Sequence, residues 1–190
     1  MSTTNLDQLI RDIQDKDHVT RAAARDAAGA VGAQAVRPLG DIAAMHDDFE
    51  VARAADRAIR NIVYHCGRPG AESEAHEVTG ELLGLLDQSY PVQLRRDVLS
   101  LIWQIAGEQA ANRVAACLDD PDVAEDARMA LERIPGKQAT AALQKAFDRA
   151  DQDDLPALAY SLGMRGVEIR GVPDLRLQGV KESAFQPVKG

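Results

Sequence analysis

Residues 107–136 read GEQAANRVAACLDDPDVAEDARMALERIPG, and the reading of this stretch decides the fold. It predicts a helix from Glu108 to Leu118, a break at Asp119, Asp120 and Pro121, a second helix from Asp122 to Ile134, and a stop at Gly136. A proline in the first helical turn is harmless because its missing N–H would have no helical partner, and Asp120 before it can accept from the exposed amides. One helix pair of this size cannot bury its own apolar face, so it must stack on others like itself.

The rest of the chain repeats the theme. A first unit pairs a helix at Leu6–Gln14, apolar at Leu6, Leu9, Ile10 and Ile13, with one at His18–Val31. The second opens at Ala33, reaches Met45, breaks at His46-Asp-Asp and resumes from Phe49 to His65, with Asp47 and Glu50 spaced as a capping box. The third runs from Glu72 to Asp87 and from Val92 to Ala106, and the fifth from Lys137 to Ala150 and on to Gly163–Gly166. Stop glycines at 32, 67, 107, 136 and 166 space the units by 29 to 40 residues, the range of repeated helix pairs. From Val167 the apolar residues are roughly alternate, and Gly171, Pro173, Gly179 and Pro187 forbid a long helix. The expectation is an all-α solenoid domain over 1–166, with an extended or disordered tail over 167–190 that covers the end of the last unit or hangs free.

The second-helix starts Asp17-His-Val-Thr-Arg, Asp48-Phe-Glu-Val-Ala-Arg, Tyr90-Pro-Val-Gln-Leu-Arg-Arg and Asp120-Pro-Asp-Val, with the first-helix openings Gly32-Ala-Gln-Ala-Val-Arg-Pro-Leu and Gly136-Lys-Gln-Ala-Thr-Ala-Ala-Leu, resemble the HEAT-repeat family. Within it they are most similar to the short bacterial units called phycobilisome-lyase-like HEAT repeats, over roughly residues 5–165. The resemblance implies a right-handed α-solenoid of about five stacked antiparallel helix pairs. Its first helices would form the convex face and its second helices the concave face, where such proteins usually hold a protein partner.

Composition narrows the function. Aromatic residues make up 4% of the chain, which suits closely packed helices better than a sheet. The formal net charge of -8 opposes nucleic-acid binding, which draws its affinity from clustered Lys and Arg. No run approaches the roughly 18 apolar residues of a membrane span, and the start MSTTNLDQLIRD has no basic and apolar leader pattern, so the expected location is cytoplasmic. Cys66 and Cys117 form no CxxC pair, and the dispersed His18, His46, His65 and His76 suit helix ends better than a metal; neither metal nor cofactor is expected. His76-Glu77 resembles one of the iron-binding His-Glu pairs of the HEAT-like deoxyhypusine hydroxylases, but the chain has a single such pair.

Aligning the second helices on Val19, Val51, Leu94 and Val123 sets a buried stripe at those residues and at four, seven or eight, and eleven residues on. Positions two, six and nine residues on then point away from it. That outward ladder is Arg21, Arg25, Ala28; Arg53, Arg57, Arg60; Arg96, Ser100, Trp103; and Glu125, Met129, Glu132. The candidate site is Arg53, Arg57, Arg60, Arg96 and Trp103, which would bind an acidic, apolar-anchored segment of another protein; Arg and Trp are common interface anchors. The expected function is a non-catalytic interaction module, an adaptor, scaffold or regulatory subunit. Its alternatives are a HEAT-like enzyme or chromophore-handling lyase and, third, a HEAT-like DNA-repair glycosylase. Solvated arginine faces paired with Asp26, Glu50, Asp56 and Asp97 are the competing reading of the same residues.

Overall fold

The computed structural model describes residues 5–172. Among them are ten α-helices and no strand: α1 (Leu6–Ile13), α2 (His18–Ala27), α3 (Val36–Met45), α4 (Phe49–Cys66), α5 (Glu72–Gly84), α6 (Val92–Ile102), α7 (Ala111–Ala115), α8 (Ala124–Arg133), α9 (Lys137–Phe147) and α10 (Leu155–Met164). Side-chain caps begin three of them. Asn5 accepts from the Gln8 N–H at 2.8 Å, Asp17 from Thr20 at 3.0 Å, and Asp48 from Glu50 at 2.8 Å. The cap of α4 is therefore Asp48, not Asp47, because one more residue is needed to turn the chain after Met45.

Each helix packs on its partner in the pairs α1–α2, α3–α4, α5–α6, α7–α8 and α9–α10. The even-numbered helices also touch in sequence, α2 with α4, α4 with α6, α6 with α8 and α8 with α10. On the other side α3 meets α5, and α7 meets α9. One continuous cluster of buried residues runs from Leu9 to Leu162, led by Leu39, Ile59, Ile62, Leu82, Leu99, Ile102, Leu131 and Leu143. Full burial of each such side chain contributes about 1.5–3 kcal/mol. Small residues let the helices close up: a Cβ on Gly40 of α3 would lie 2.5 Å from Cδ2 of Leu85, itself fully buried.

The opening stretch is looser than its sequence suggests. Glu108–Ala110 and Ala116–Asp119 are 3₁₀ turns on either side of the short α7, and α8 starts at Ala124, two residues later than expected. Asp120 is committed instead to a tight turn, accepting from the Asp122 N–H at 3.1 Å, and to Arg95. α2 likewise yields to a 3₁₀ turn at Ala28–Ala30 before Gly32, whose φ of 76° serves the reversal. Beyond Gly166 the backbone is irregular to residue 172, and Val167 and Ile169 pack against the core; the remainder of the expected tail lies outside the described residues.

One long-range cap, made of two hydrogen bonds, joins the last units. The Glu108 carboxylate accepts from the backbone N–H groups of Lys137 and Gln138 at 3.0 and 3.2 Å, which caps α9 from the preceding unit. Gly136, at φ 94°, lets the two approach, since a Cβ there would collide with that carboxyl group.

Candidate functional site

The buried stripe follows the expected spacing in three of four second helices. Val51, Ala55, Ala58, Ile59 and Ile62 are buried in α4; Leu94, Val98, Leu101 and Ile102 in α6; Val123, Ala127, Ala130 and Leu131 along α8. α2 departs from it: Val19 is 62% exposed, while Ala24, Ala28 and Val31 are buried. The capping aspartates give the right register. Matching Asp17 to Asp48 pairs Thr20 with Val51, one residue beyond Val19. Ala28 is therefore core and not part of an outward ladder.

Glu132 is a second correction to the ladder. Only 9% of its side chain is exposed, and it accepts from the Ser161 hydroxyl at 2.8 Å and pairs with Arg128 at 3.3 Å. Arg128 also donates to the Ser161 oxygen and pairs with Glu125, whose carboxyl group it holds below the usual glutamate range. The acidic end of the ladder is thus neutralised. The later helices also expose large apolar side chains, Trp103, Met129, Tyr160 and Met164.

The arginines of α4 divide between two neighbours. Arg60 leans towards α6, pairing with Asp56 at 3.0 Å and with Asp97 at 2.9 Å. Partial burial opposes its charge, but Asp56 and Asp97 outweigh that and raise its pKa above the usual arginine value. Arg53 and Arg57 lean the other way, into a cleft of about 130 Å³ against α2, where they meet Arg21, Arg25 and His18. Arg53 pairs with Glu50 at 2.5 Å, whereas Arg57 has no ion pair among the described residues.

Arg96 reaches forward to α8, donating to the Asp122 carbonyl at 2.9 Å and lying 3.5 Å from the Asp126 carboxylate. Trp103 sits at the end of α6 under Arg133 of α8, whose guanidinium carbon is 5.3 Å from the ring centroid. Of the five residues expected to form one groove, then, Arg53 and Arg57 share a cleft, Arg60 lies at the α4–α6 junction, and Arg96 and Trp103 lie at the α6–α8 junction. Arg21 and Arg25 stood in the outward ladder but outside that set; with the α2 stripe restarted at Thr20 they fall between the stripe and the outward row, and no pattern in the sequence marks them as neighbours of Arg53 and Arg57.

Beside Arg96, Arg95 is almost wholly buried, and its Nη1 meets the Asp120 carboxylate at 2.6 Å while its Nε finds no partner. A hollow of about 490 Å³ lies between α8, α10 and the turns before them, lined by Pro121, Glu125, Arg128, Arg149 and Leu158. Its arginines are answered by Glu125, Glu132 and, at 2.5 Å from Arg149, Asp119.

Cys66 and Cys117 are buried, and burial raises both thiols above their usual pKa. The histidines are scattered: His46 Nδ1 accepts from the Asp48 N–H at 3.0 Å, His76 contacts Gln109 at 3.1 Å, and His65 packs over Gly29. Among the described residues no three His, Cys, Asp or Glu side chains are grouped to share a metal ion, and no helix is long and apolar enough to cross a membrane. Compared with known proteins, the chain matches no family model and no curated protein.

Proposed function

We propose that the chain is a small HEAT-like α-solenoid that acts as a non-catalytic interaction module, binding an acidic, apolar-anchored segment of another protein along its even-numbered helices. The observation that carries this reading is the change of character along one exposed row. Counting six residues from the start of each buried stripe gives Asp26 in α2, Arg57 in α4, Ser100 in α6 and Met129 in α8, and Tyr160 takes the matching place in α10; Asp26 is answered by Arg25, so the first uncompensated charge of the row is Arg57. A basic beginning followed by exposed Trp103, Met129 and Tyr160 suits a ligand with acidic residues at one end and an apolar anchor at the other. The neighbour relations of the helices, α3 with α5, α7 with α9 and the even-numbered helices in sequence, support a stacked-pair arrangement.

The test is affinity capture with the native protein beside a Trp103→Ala, Arg57→Glu variant, followed by titration of the captured protein against both. A stoichiometric partner whose affinity for the variant falls at least about tenfold supports the proposal. A partner bound equally well by both would remove the even-helix face from consideration.

A further inference from the structure

The junctions between neighbouring even-numbered helices are closed by arginines that cross them, with one exception among the described residues. Arg60 crosses from α4 to Asp97 of α6, Arg96 from α6 to Asp126 of α8, and Arg128 from α8 to Ser161 of α10. At the α2–α4 junction the only polar bridge among those residues is Asn61 donating to the Arg25 carbonyl at 3.0 Å. Four arginines, two from each helix, instead line one cleft together with His18 and Glu50: Arg21 and Arg25, Arg53 and Arg57.

Their carboxylate partners come only from their own helices. Arg25 pairs with Asp26 at 2.8 Å and Arg53 with Glu50 at 2.5 Å. Arg21 donates to the neutral carbonyls of Asp15 and Lys16 at 2.6 and 3.0 Å, and Arg57 has no ion pair among the described residues. Two of the four guanidinium charges are answered by a carboxylate and two are not, which leaves the lining of the cleft with an excess of positive charge. An oxyanion bridging Arg21 and Arg57 would do at this junction what Asp97 and Asp126 do at the next two.

We propose that this cleft takes a phosphomonoester group carried on a segment of a partner protein. The proposal rests on the reading of this face as a partner-binding surface and names the chemistry at its basic end. A phosphomonoester carries about -1.5 to -2 charges at neutral pH and three strong acceptor oxygens, which matches the two unanswered guanidinium groups; one carboxylate would answer only one. Arginine forks suit such oxygens better than point charges do. A protein is the bearer because the exposed row continues into Trp103, Met129 and Tyr160, whereas a nucleic acid needs cation after cation along its backbone, and the chain's net charge is -8.

The experiment is a titration of the full chain, followed by NMR of the arginine side-chain N–H groups, with an N-acetyl phosphoserine amide as probe. Its serine and glutamate counterparts, inorganic phosphate and a short DNA duplex are run in parallel. The expected result is saturable shifts at Arg21, Arg25, Arg53 and Arg57, with the glutamate probe and inorganic phosphate weaker by at least about tenfold and an Arg21→Gln, Arg57→Gln variant weakened to the same degree. Melting followed by circular dichroism checks that this variant is folded, and single Arg57→Gln, on an exposed position, gives a second route to the same loss. The proposal is overturned if no saturable shift occurs, if the shifts lie elsewhere, or if glutamate or free phosphate binds as tightly as phosphoserine. Tighter binding of the duplex would overturn the protein-borne source. No partner protein enters this titration, so its failure is separable from that of the partner reading, which the Trp103 variant tests.

Discussion

Arg165 and Ile134 are joined by a hydrogen bond of 2.6 Å from Nη1 to the carbonyl oxygen at the end of α8. The same guanidinium group donates to Leu131 and Glu132 carbonyls at 2.8 and 3.0 Å, to Gly136 at 2.6 Å and to the Thr140 hydroxyl at 2.8 Å. A helix end leaves carbonyls without partners, and a cation is favoured there by the helix dipole. One side chain beyond α10 thus terminates α8 and ties it to the head of α9. Burial lowers the pKa of Arg165, but arginine remains charged throughout the accessible range.

Arg165→Met keeps most of the apolar stem and removes these donors. The expected loss is about 2–4 kcal/mol in urea unfolding at neutral pH, since several carbonyls lose a charged donor at once. Arg165→Lys, with a single ammonium group, should recover only part of it. A loss below the error of the measurement for Arg165→Met would show that water replaces the guanidinium group.

Stability should fall in acid partly through Asp120. Hydrogen bonds from Arg95 first, and then from the Asp122 N–H, hold its carboxyl group below the usual aspartate value. A carboxylate whose folded pKa is depressed stabilises the fold fully above the unfolded pKa of about 3.9, and that contribution is lost as pH falls through the lower folded value. Melting curves from pH 7 to pH 2 should therefore show a smaller acid-induced loss below about pH 4 for Asp120→Asn than for the native chain. The variant should also be less stable at pH 7, where Arg95 would be left buried opposite a neutral amide.

Gly40→Ala tests the tight approach of α3 to the Leu85 side chain. Overpacking against a fully buried Leu85 should cost about 1–3 kcal/mol, because the neighbouring side chains have little room to yield. Adding Leu85→Ala to it should cost less than the two single substitutions summed, as expected for residues that share one space. Additive effects in unfolding experiments would mean that the two sites do not share that space.

Trp103, the sole tryptophan of the chain, reports on its own surface. It is 37% exposed under the Arg133 guanidinium group. Arg133→Ala should lower stability by no more than about 0.5–1 kcal/mol, the value of an exposed cation–π pair, while acrylamide quenching of the fluorescence rises. A bound partner that seats its apolar anchor on this row should reduce the quenching of the native protein.

Much of the helical plan was legible in the chain itself. The aspartates before α2 and α4, the break at Asp119–Pro121 and the recurring glycines place helix ends within a few residues, because these side chains act on the backbone beside them, although the cap of α4 is Asp48 where the spacing to Glu50 points to Asp47. Where local cues conflicted, alignment went astray. Val19 resembles Val51 in type and in distance from an aspartate, but it lies one residue nearer its cap, and one residue on a helix is a rotation of 100°. The start of α8 moved from Asp122 to Ala124 beside a contact made across units: Asp120 pairs with Arg95 and accepts from the Asp122 N–H.

By itself, then, the sequence determined that the described chain is helical and, outside α2, which faces are apolar, since periodicity and capping are local properties of the backbone and its nearest side chains. Only the tertiary structure decided which charges are answered. It turned Arg60 and Arg96 into clasps between neighbouring helices, buried Glu132 beside Arg128 and left Arg21 and Arg57 lining the α2–α4 cleft with no carboxylate partner among the described residues. An ion pair depends on which helix lies alongside and at what rotation, and a linear pattern of arginines and aspartates does not contain that information.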